Sequence, residues 1–282
     1  MVTRKAYAKV NLFLNVLGQR PDGYHDMQMI NARIDLHDDV VVESSQEEGV
    51  VLRSNDAFLE TNDNLIKQIA RQLIERFRPR SGLIIDVFKR IPAGAGLAGN
   101  SADGAALIEA VNELWDLRLT KQEMQAFALP FGADLPYCFE TAVCRVEGIG
   151  ESILPVGANL KGKPCLVVTP KAYVATSSMF AKGDAIGFQT KPIAPMIAAL
   201  NTGDWSNIKR LVHNSFALVT LSASPKTAAV VARLKAKFGE EGLFMTGTGS
   251  TWIYLPDQLD ASIWGFCDEY TNDFQASVHI FL

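Results

Sequence analysis

The sequence predicts an α+β fold, and two features of its pattern point to that class. Strand-like segments open both halves of the chain, at 6–16 and at 165–169. Helical segments such as 63–77, in which apolar residues recur every three or four positions, follow the strands without alternating regularly with them. A doubly wound α/β sheet requires regular strand–helix alternation, so the α+β class is favoured.

The first half of the chain carries most of the strand signals. Residues 6–16 alternate strictly, with aliphatic side chains at the even positions and Lys9, Asn11 and Asn15 among the odd ones, as in a half-buried strand. An apolar run at 82–91 precedes a glycine-rich loop. The other β-rich segments, which predict a sheet with hairpin-like connections, are 27–36, 39–45, 50–53 and 142–147.

The remaining elements are predicted from a helix-capping pattern, from glycine and proline residues, and from the period of apolar residues. Thr120 and Glu123 have the spacing of a capping box, which predicts a short helix after them. The segment 157–164 is rich in glycine and lysine and ends in a proline, which predicts the junction of two domains, 1–157 and 158–282. The later segments, predicted as two helical stretches, a strand–turn–strand, a helix and a strand, are 192–216, 225–238, 243–255, 258–270 and 276–281.

Composition narrows the class of protein. Of the 282 residues, 48% are hydrophobic, enough for a sizeable core, and the net charge of −4 argues against a general nucleic-acid or acidic-membrane binder. No stretch of about 18 apolar residues occurs, and the N-terminus has no apolar signal core. We therefore expect a soluble, cytoplasmic protein, and we expect the four cysteines to be buried thiols: Cys138, Cys144, Cys165 and Cys267.

The segment 92–103 is a glycine-dense loop that leads into an amphipathic helix predicted at 105–115. Gly94, Gly96 and Gly99 allow positive φ angles and close approach of a ligand, and the N-terminus of the helix suits an anion such as a phosphate. Neither common nucleotide signature is present in its full context, since the G-x-G-x-x-G match lacks a strand–helix–strand unit. A glycine turn that only allows tight helix packing is the alternative.

Two further glycine turns and one lysine inside a strand are candidates for a catalytic or binding site. Asp134 lies in the turn 131–136, where a helix N-cap is the alternative explanation. The turn 245–250 contains two glycines, for which a plain β-turn is the alternative. Lys9 is unusual inside a strand, and it lies either on a solvated edge or in a polar cleft facing a carboxylate or phosphate.

The turn 18–25 ends in Tyr24 and His25. A flat ring for stacking beside a hydrogen-bonding ring nitrogen suits a nucleobase, whereas a plain loop with a covering tyrosine is the alternative. The remaining histidines are isolated in the sequence, and we expect them to be structural: His37, His213 and His279.

Taken in order, these motifs resemble those of the GHMP kinases. The matching segments are Ala8–Leu14, Arg20–His25, Asn64–Ile66, Pro92–Asp103, Gly132–Pro136 with Glu147–Glu151, and Met245–Gly249. The Gly-Tyr-His block favours, within this family, a member that phosphorylates a cytidine diphosphate-linked alcohol in non-mevalonate isoprenoid biosynthesis over mevalonate or homoserine kinases.

The resemblance implies a two-domain GHMP kinase fold, with an N-terminal domain like domain 2 of ribosomal protein S5 and a ferredoxin-like C-terminal domain. It implies ATP-dependent phosphorylation of a sugar-alcohol hydroxyl, with Mg²⁺ accompanying the nucleotide and no protein metal ligand assigned. A monomer or homodimer with small-molecule partners, without nucleic acid or membrane, is expected.

The same resemblance implies roles for individual residues. Asp134 is expected to take the proton of the attacking hydroxyl, and Lys9 to pair with it and face the transferred phosphoryl group. The residues expected to bind nucleotide are Asn64, Lys89, Pro92, Gly94, Ala95, Gly96, Leu97, Ala98, Gly99, Asn100, Ser101 and Ala102. Those expected to bind the acceptor substrate are Asn11, Tyr24, His25, Thr176, Gly247 and Gly249.

The phosphate loop departs from the family pattern. Ala98 and Asn100 replace usual glycines, Ala102 replaces a second serine, and Gly104 replaces an alanine. If either usual glycine position has a positive φ, a side chain there costs on the order of 1 kcal/mol. Two alternatives therefore stay open: a GHMP kinase acting on a different alcohol, and a nucleotide- or metabolite-binding homologue that has lost catalysis.

Overall fold

The computed structural model describes residues 1–60, 64–78, 81–269 and 272–282. Asp63 and Tyr270, each predicted as the end of a helix, lie outside the described residues. The domain boundary predicted after residue 157 stays a prediction. The chain divides into two compact units: the first comprises Met1–Ala8, Leu36–Ala93 and Ala98–Glu140, and the second comprises Lys9–Asp35, Gly94–Leu97 and Thr141–Leu282.

Long strands carry the chain through the first half. In the first unit, Asp39–Ser45 of the second strand pairs antiparallel with the fourth strand, and the third strand pairs parallel with the fourth. The predicted hairpin between the second and third strands is therefore wrong, because a helical crossover lets the fourth strand lie between them. The four strands are β1 (Val2–Gln19), β2 (His25–Ser45), β3 (Gly49–Ser54) and β4 (Gly82–Phe88).

The helices of the first unit cover this sheet with a continuous core. Ile66, Ile69 and Leu73 of the first helix are buried in the same cluster as Leu83 and Ile85 of β4. Thr120 and Glu123 form the predicted capping box, with both reciprocal hydrogen bonds present. The helices are α1 (Leu65–Phe77), α2 (Gly99–Leu114) and α3 (Lys121–Ala128), and 3-10 turns span Ala57–Glu60, Leu129–Phe131 and Pro136–Phe139.

The second unit contains the ferredoxin-like arrangement. Four of its strands form an antiparallel sheet in the order fourth, first, third, second, which is the order of a β-α-β-β-α-β unit. The first half of β2 and the end of β1 pair here with shorter strands. The strands are β5 (Cys144–Gly148), β6 (Ser152–Pro155), β7 (Pro164–Pro170), β8 (His213–Asn214), β9 (Leu243–Met245), β10 (Trp252–Tyr254) and β11 (Phe274–Ile280).

The helices of the second unit differ in part from those predicted. The stretch predicted as helical at 192–216 is broken, because Gly203 ends one helix in a left-handed conformation and Asp204 caps the next. The first helix of this unit was not predicted, since only Met179 and Gly183 of it are buried and they make no apolar period. The helices are α4 (Thr176–Ile186), α5 (Ala194–Thr202), α6 (Trp205–Leu211), α7 (Ala217–Ala223), α8 (Pro225–Phe238) and α9 (Ala261–Cys267).

The structure bears on two expectations that were drawn from the composition. Within the described ranges, no helix combines the length and the apolar character needed to cross a bilayer. Three of the cysteines, Cys138, Cys144 and Cys165, are buried as predicted, whereas Cys267 is partly exposed.

Candidate active site

Two of the three glycine turns contact each other within the second unit. Gly96 and Gly247 both have left-handed φ angles, +77° and +56°. A Cβ atom on Gly96 would lie 2.4 Å from the carbonyl oxygen of Thr246, and one on Gly247 would lie 2.8 Å from the Cα atom of Gly96. Neither position has room for a side chain, so the two turns pack backbone against backbone and form one glycine-lined surface.

Asn11 of β1 holds this contact together. Its Oδ1 atom accepts hydrogen bonds from the backbone N–H of Gly247 at 2.9 Å, from Thr246 Oγ1 at 3.2 Å and from Lys9 Nζ at 3.2 Å. Its Nδ2 atom donates to Asn31 Oδ1 at 2.7 Å. The side chain is fully buried and positions the 245–250 turn against β1. Its predicted contact with substrate stays a prediction.

Lys9 is buried inside β1, with 3% of its surface exposed. Its backbone N–H donates to the carbonyl oxygen of Leu97 at 3.1 Å, which fixes the glycine-rich loop to the strand. The solvated-edge explanation is therefore wrong. From Ala8 to Val16, both faces of β1 are buried. On the polar face, the side-chain amide of Asn15 pairs with the backbone of Lys191.

Asp134 belongs to the first unit, between two 3-10 turns, and is partly exposed. The residue that caps the following turn is Leu135, so the N-cap explanation for Asp134 is wrong. The predicted pairing of Asp134 with Lys9 stays a prediction.

The helix α2 begins at Gly99, earlier than the apolar pattern indicated. Inside α2, Gly104 allows close packing against the neighbouring elements: a Cβ atom on it would lie 2.7 Å from Ile69 Cδ1 and 2.9 Å from Leu135 Cδ2. The backbone N–H groups of its first turn, at Asn100 and Ser101, precede the hydrogen-bonded ladder and are suited to phosphate oxygens. Asn64, another expected nucleotide contact, caps α1 by accepting from the N–H of Ile66 at 2.7 Å.

Ala98 is the N-cap of α2 and has a left-handed conformation, with φ +56° and ψ +31°. It makes no side-chain capping bond. Ala98, which replaces a usual glycine, therefore has the strained backbone that was expected. Asn100 lies in the right-handed helix and has no such strain.

We expect Ala98→Gly to stabilise the protein. Relief of a left-handed alanine is worth about 1–2 kcal/mol, and the added flexibility of glycine in the unfolded chain offsets about 0.5–1 kcal/mol of it. Urea unfolding should show a gain of about 1 kcal/mol or less. Ala102→Gly, in the right-handed part of α2, is the matched control and should lose stability; a loss in both variants would contradict the strain at Ala98.

Lys89 has two carboxylate partners that sequence reasoning missed. Its Nζ atom contacts Oδ2 of Asp38 and lies 2.7 Å from Oδ2 of Asp103. Burial lowers the pKa of Lys89, but attraction to Asp103 and Asp38 outweighs it, so the pKa is raised. The ammonium is thus held by the protein itself, and its predicted contact with nucleotide stays a prediction.

The two residues proposed for a nucleobase have different surroundings. Tyr24 is 60% exposed, whereas His25 is 7% exposed and stacks on Phe180 with ring centroids 4.6 Å apart. His25 Nε2 lies 2.8 Å from Asp184 Oδ1, and since an ionised carboxylate only accepts, Nε2 donates. The Nδ1 atom of a neutral His25 is therefore left as an acceptor.

The helix α4 supplies these partners of His25. Phe180 and Asp184 are four residues apart on it and so lie on one face. The Thr176 Oγ1 atom, at its first residue, lies 3.2 Å from Thr248 Oγ1 in the second glycine turn. Because α4 had no periodic signal, its aromatic and acidic residues were not found from sequence.

The fold and the site define a kinase of the GHMP type. The family described as GHMP kinases N terminal domain matches residues 64–139. The chain is 35% identical to a 4-diphosphocytidyl-2-C-methyl-D-erythritol kinase of Thermoanaerobacter pseudethanolicus, covering 91% of this chain and 88% of the relative. It is 34% identical to the kinase of the same name of Geobacillus kaustophilus, covering 94% and 93%.

A solved structure of a 4-(cytidine 5'-diphospho)-2C-methyl-D-erythritol kinase superposes with a TM-score of 0.78 at 26% identity, covering 99% of both chains. The chain therefore belongs to the GHMP kinases and, within them, to the family of the 4-diphosphocytidyl-2-C-methyl-D-erythritol kinases. It is an enzyme that uses ATP to phosphorylate a small molecule.

Proposed function

We propose that the protein transfers the γ-phosphoryl group of ATP to the 2-hydroxyl of 4-diphosphocytidyl-2-C-methyl-D-erythritol, a step of non-mevalonate isoprenoid biosynthesis. The observation that carries the proposal is the near-full-length similarity to kinases of that name, at 34–35% identity. The exposed ring of Tyr24 supports it, because an aromatic ring open to solvent can stack on a base. A cytoplasmic location and a monomeric or homodimeric state stay predictions.

In this mechanism the protein positions two reactants and offsets charge on the moving group. Asp134 accepts the proton of the attacking hydroxyl. Lys9, which is buried, pairs with Asp134 and faces the transferred phosphoryl group. The glycine-lined surface at Gly96 and Gly247 holds the two turns in direct contact, which positions the phosphate loop.

The nucleotide phosphates are held by backbone N–H groups of the 94–101 loop and the first turn of α2. Mg²⁺ is expected to accompany the nucleotide, held mainly by its phosphates and by water. When bound, Mg²⁺ would neutralise part of the phosphate charge.

Variants of the base site test the substrate class. We expect Tyr24→Ala and His25→Ala each to raise KM for the cytidine-linked alcohol about tenfold or more, because each stacking or hydrogen-bonding contact to a base is worth about 1–3 kcal/mol. KM for ATP should change little. Unchanged KM values for the cytidine-linked alcohol in both variants would instead favour a GHMP kinase for a different alcohol.

The decisive assay is mass spectrometry of the cytidine-linked alcohol after incubation with ATP, Mg²⁺ and purified protein. A product heavier by one phosphoryl group supports the proposal, and its absence contradicts it. The strained Ala98 favours one further candidate, a homologue that binds nucleotide without turnover. Calorimetry that detects ATP binding in a sample that forms no product would select that candidate.

A further inference from the structure

A buried ion cluster lies beside the start of α2 and is made of one cation and two carboxylates, Lys89, Asp38 and Asp103. The Asp38 and Asp103 side chains are completely buried, and the Lys89 side chain is 7% exposed. When all three are ionised, the cluster carries one net negative charge without contact to bulk water.

The cluster connects three elements that meet at the phosphate loop. Asp38, on β2, accepts hydrogen bonds through Oδ1 from the backbone N–H groups of Arg90 and Ile91, at 2.8 Å for Ile91. Lys89 reaches from the end of β4 to Asp103 on α2. A Cβ atom on Gly99 would lie 3.3 Å from Lys89 Nζ, so the ammonium is directly against the first residue of the helix.

Asp103 is the member with an unused atom. Its Oδ2 atom accepts from Lys89, while Oδ1 is buried without a hydrogen-bond partner among the described residues. A proton on Oδ1 would remove the negative charge of this buried carboxylate and leave the bond between Oδ2 and Lys89 in place. Burial raises the pKa of Asp103 to about 7, Lys89 opposes that shift, and the charge of Asp38 adds to it.

The other described neighbours of this part of α2 add no charge to Asp103. At the adjacent Gly104, α1 contributes Ile69 and the 3-10 region contributes Leu135, both apolar. The nearby Arg90 guanidinium is paired with Asp39 and half exposed. Lys89 and Asp38 are thus the charged groups that face Asp103.

We propose that Lys89, Asp38 and Asp103 are positioning residues that anchor the first turn of α2, and that nucleotide binding is accompanied by proton uptake at Asp103. The inference rests on the proposed binding of ATP phosphates at that turn. Polyphosphate charge placed one helical turn away disfavours the ionised carboxylate and so favours its protonated form. By linkage, ATP then binds more weakly as the pH rises from the pKa of Asp103 in the free protein to that in the complex.

The test is calorimetric titration of the full-length protein with ATP and Mg²⁺, without acceptor, in Hepes and in Tris. The two buffers differ in ionisation enthalpy, so their heats give the number of protons taken up. A rise of about one unit in the pKa of Asp103 gives uptake of about half a proton near pH 7.5 in the wild-type protein. We expect this uptake to be lost in Asp103→Asn and kept in Asp116→Asn, an exposed control.

Equal uptake in wild type and Asp103→Asn overturns the linkage, while leaving the proposed kinase function intact. Absence of any nucleotide binding in the wild type overturns both. A second measurement needs no variant: the Kd of ATP in the wild-type protein should rise about threefold between about pH 7 and pH 8. A Kd that is flat over that interval also overturns the inference.

Discussion

Asp134→Asn is expected to lower kcat by about 10²–10⁴-fold, because general-base assistance of this size is lost when the carboxylate becomes an amide. The substitution preserves shape, and Asp134 is partly exposed rather than part of the core. We therefore expect the midpoint of thermal unfolding to stay within a few degrees of wild type. Steady-state rates with the cytidine-linked alcohol and calorimetric unfolding scans measure the two quantities.

The predicted pairing of Lys9 with Asp134 is tested by a double-mutant cycle on the same rates. If the two side chains act as one unit, Lys9→Met combined with Asp134→Asn should be scarcely slower than the slower single variant. Lys5→Met, at an exposed position of the same strand, is the control for lysine loss. Asp134→Asn with wild-type kcat would remove Asp134 as the base, and fully additive losses would remove the pairing.

The elements that the sequence predicted correctly are those whose cause is local. Thr120 and Glu123 satisfy each other across three residues, so their spacing alone predicted the helix start. The strand–turn–strand at 243–255 was also predicted, because two apolar runs flank the glycines Gly247 and Gly249. The helix α4 shows the reverse, since its few buried residues left no period to detect.

The parts of the site that could not be predicted depend on contacts between distant residues. Asp38 and Asp103 lie 51 and 14 residues from Lys89 in sequence, so neither looked like its partner. The strand alternation marked Lys9 and Asn11 as polar, but it could not show that their face is buried as well. Resemblance to a family located the glycine turns, whereas their mutual contact is a property of the folded chain.

Because of that contact, we expect Gly96→Ala to destabilise the second unit strongly. The new Cβ atom would lie 2.4 Å from the carbonyl oxygen of Thr246, a backbone atom that cannot move aside like a side chain. Left-handed strain, a net loss of about 1 kcal/mol once the flexibility of glycine in the unfolded chain is included, and overpacking of about 1–3 kcal/mol would add, giving a loss of about 2–4 kcal/mol. Urea unfolding at constant m-value measures this loss, and KM for ATP should rise in parallel because the loop is displaced.

The variant Gly94→Ala separates the backbone strain from the overpacking. Gly94 is also left-handed, with φ +63°, but its Cβ atom would meet only the exposed ring of Tyr173, at 3.3 Å, which can turn away. It should therefore show the backbone strain alone, a net loss of about 1 kcal/mol or less once the flexibility of glycine in the unfolded chain is included. Equal losses in the two variants would mean that the 94–97 loop can move off the 245–250 turn. The glycine-lined surface would then not be rigid enough to position a phosphoryl group.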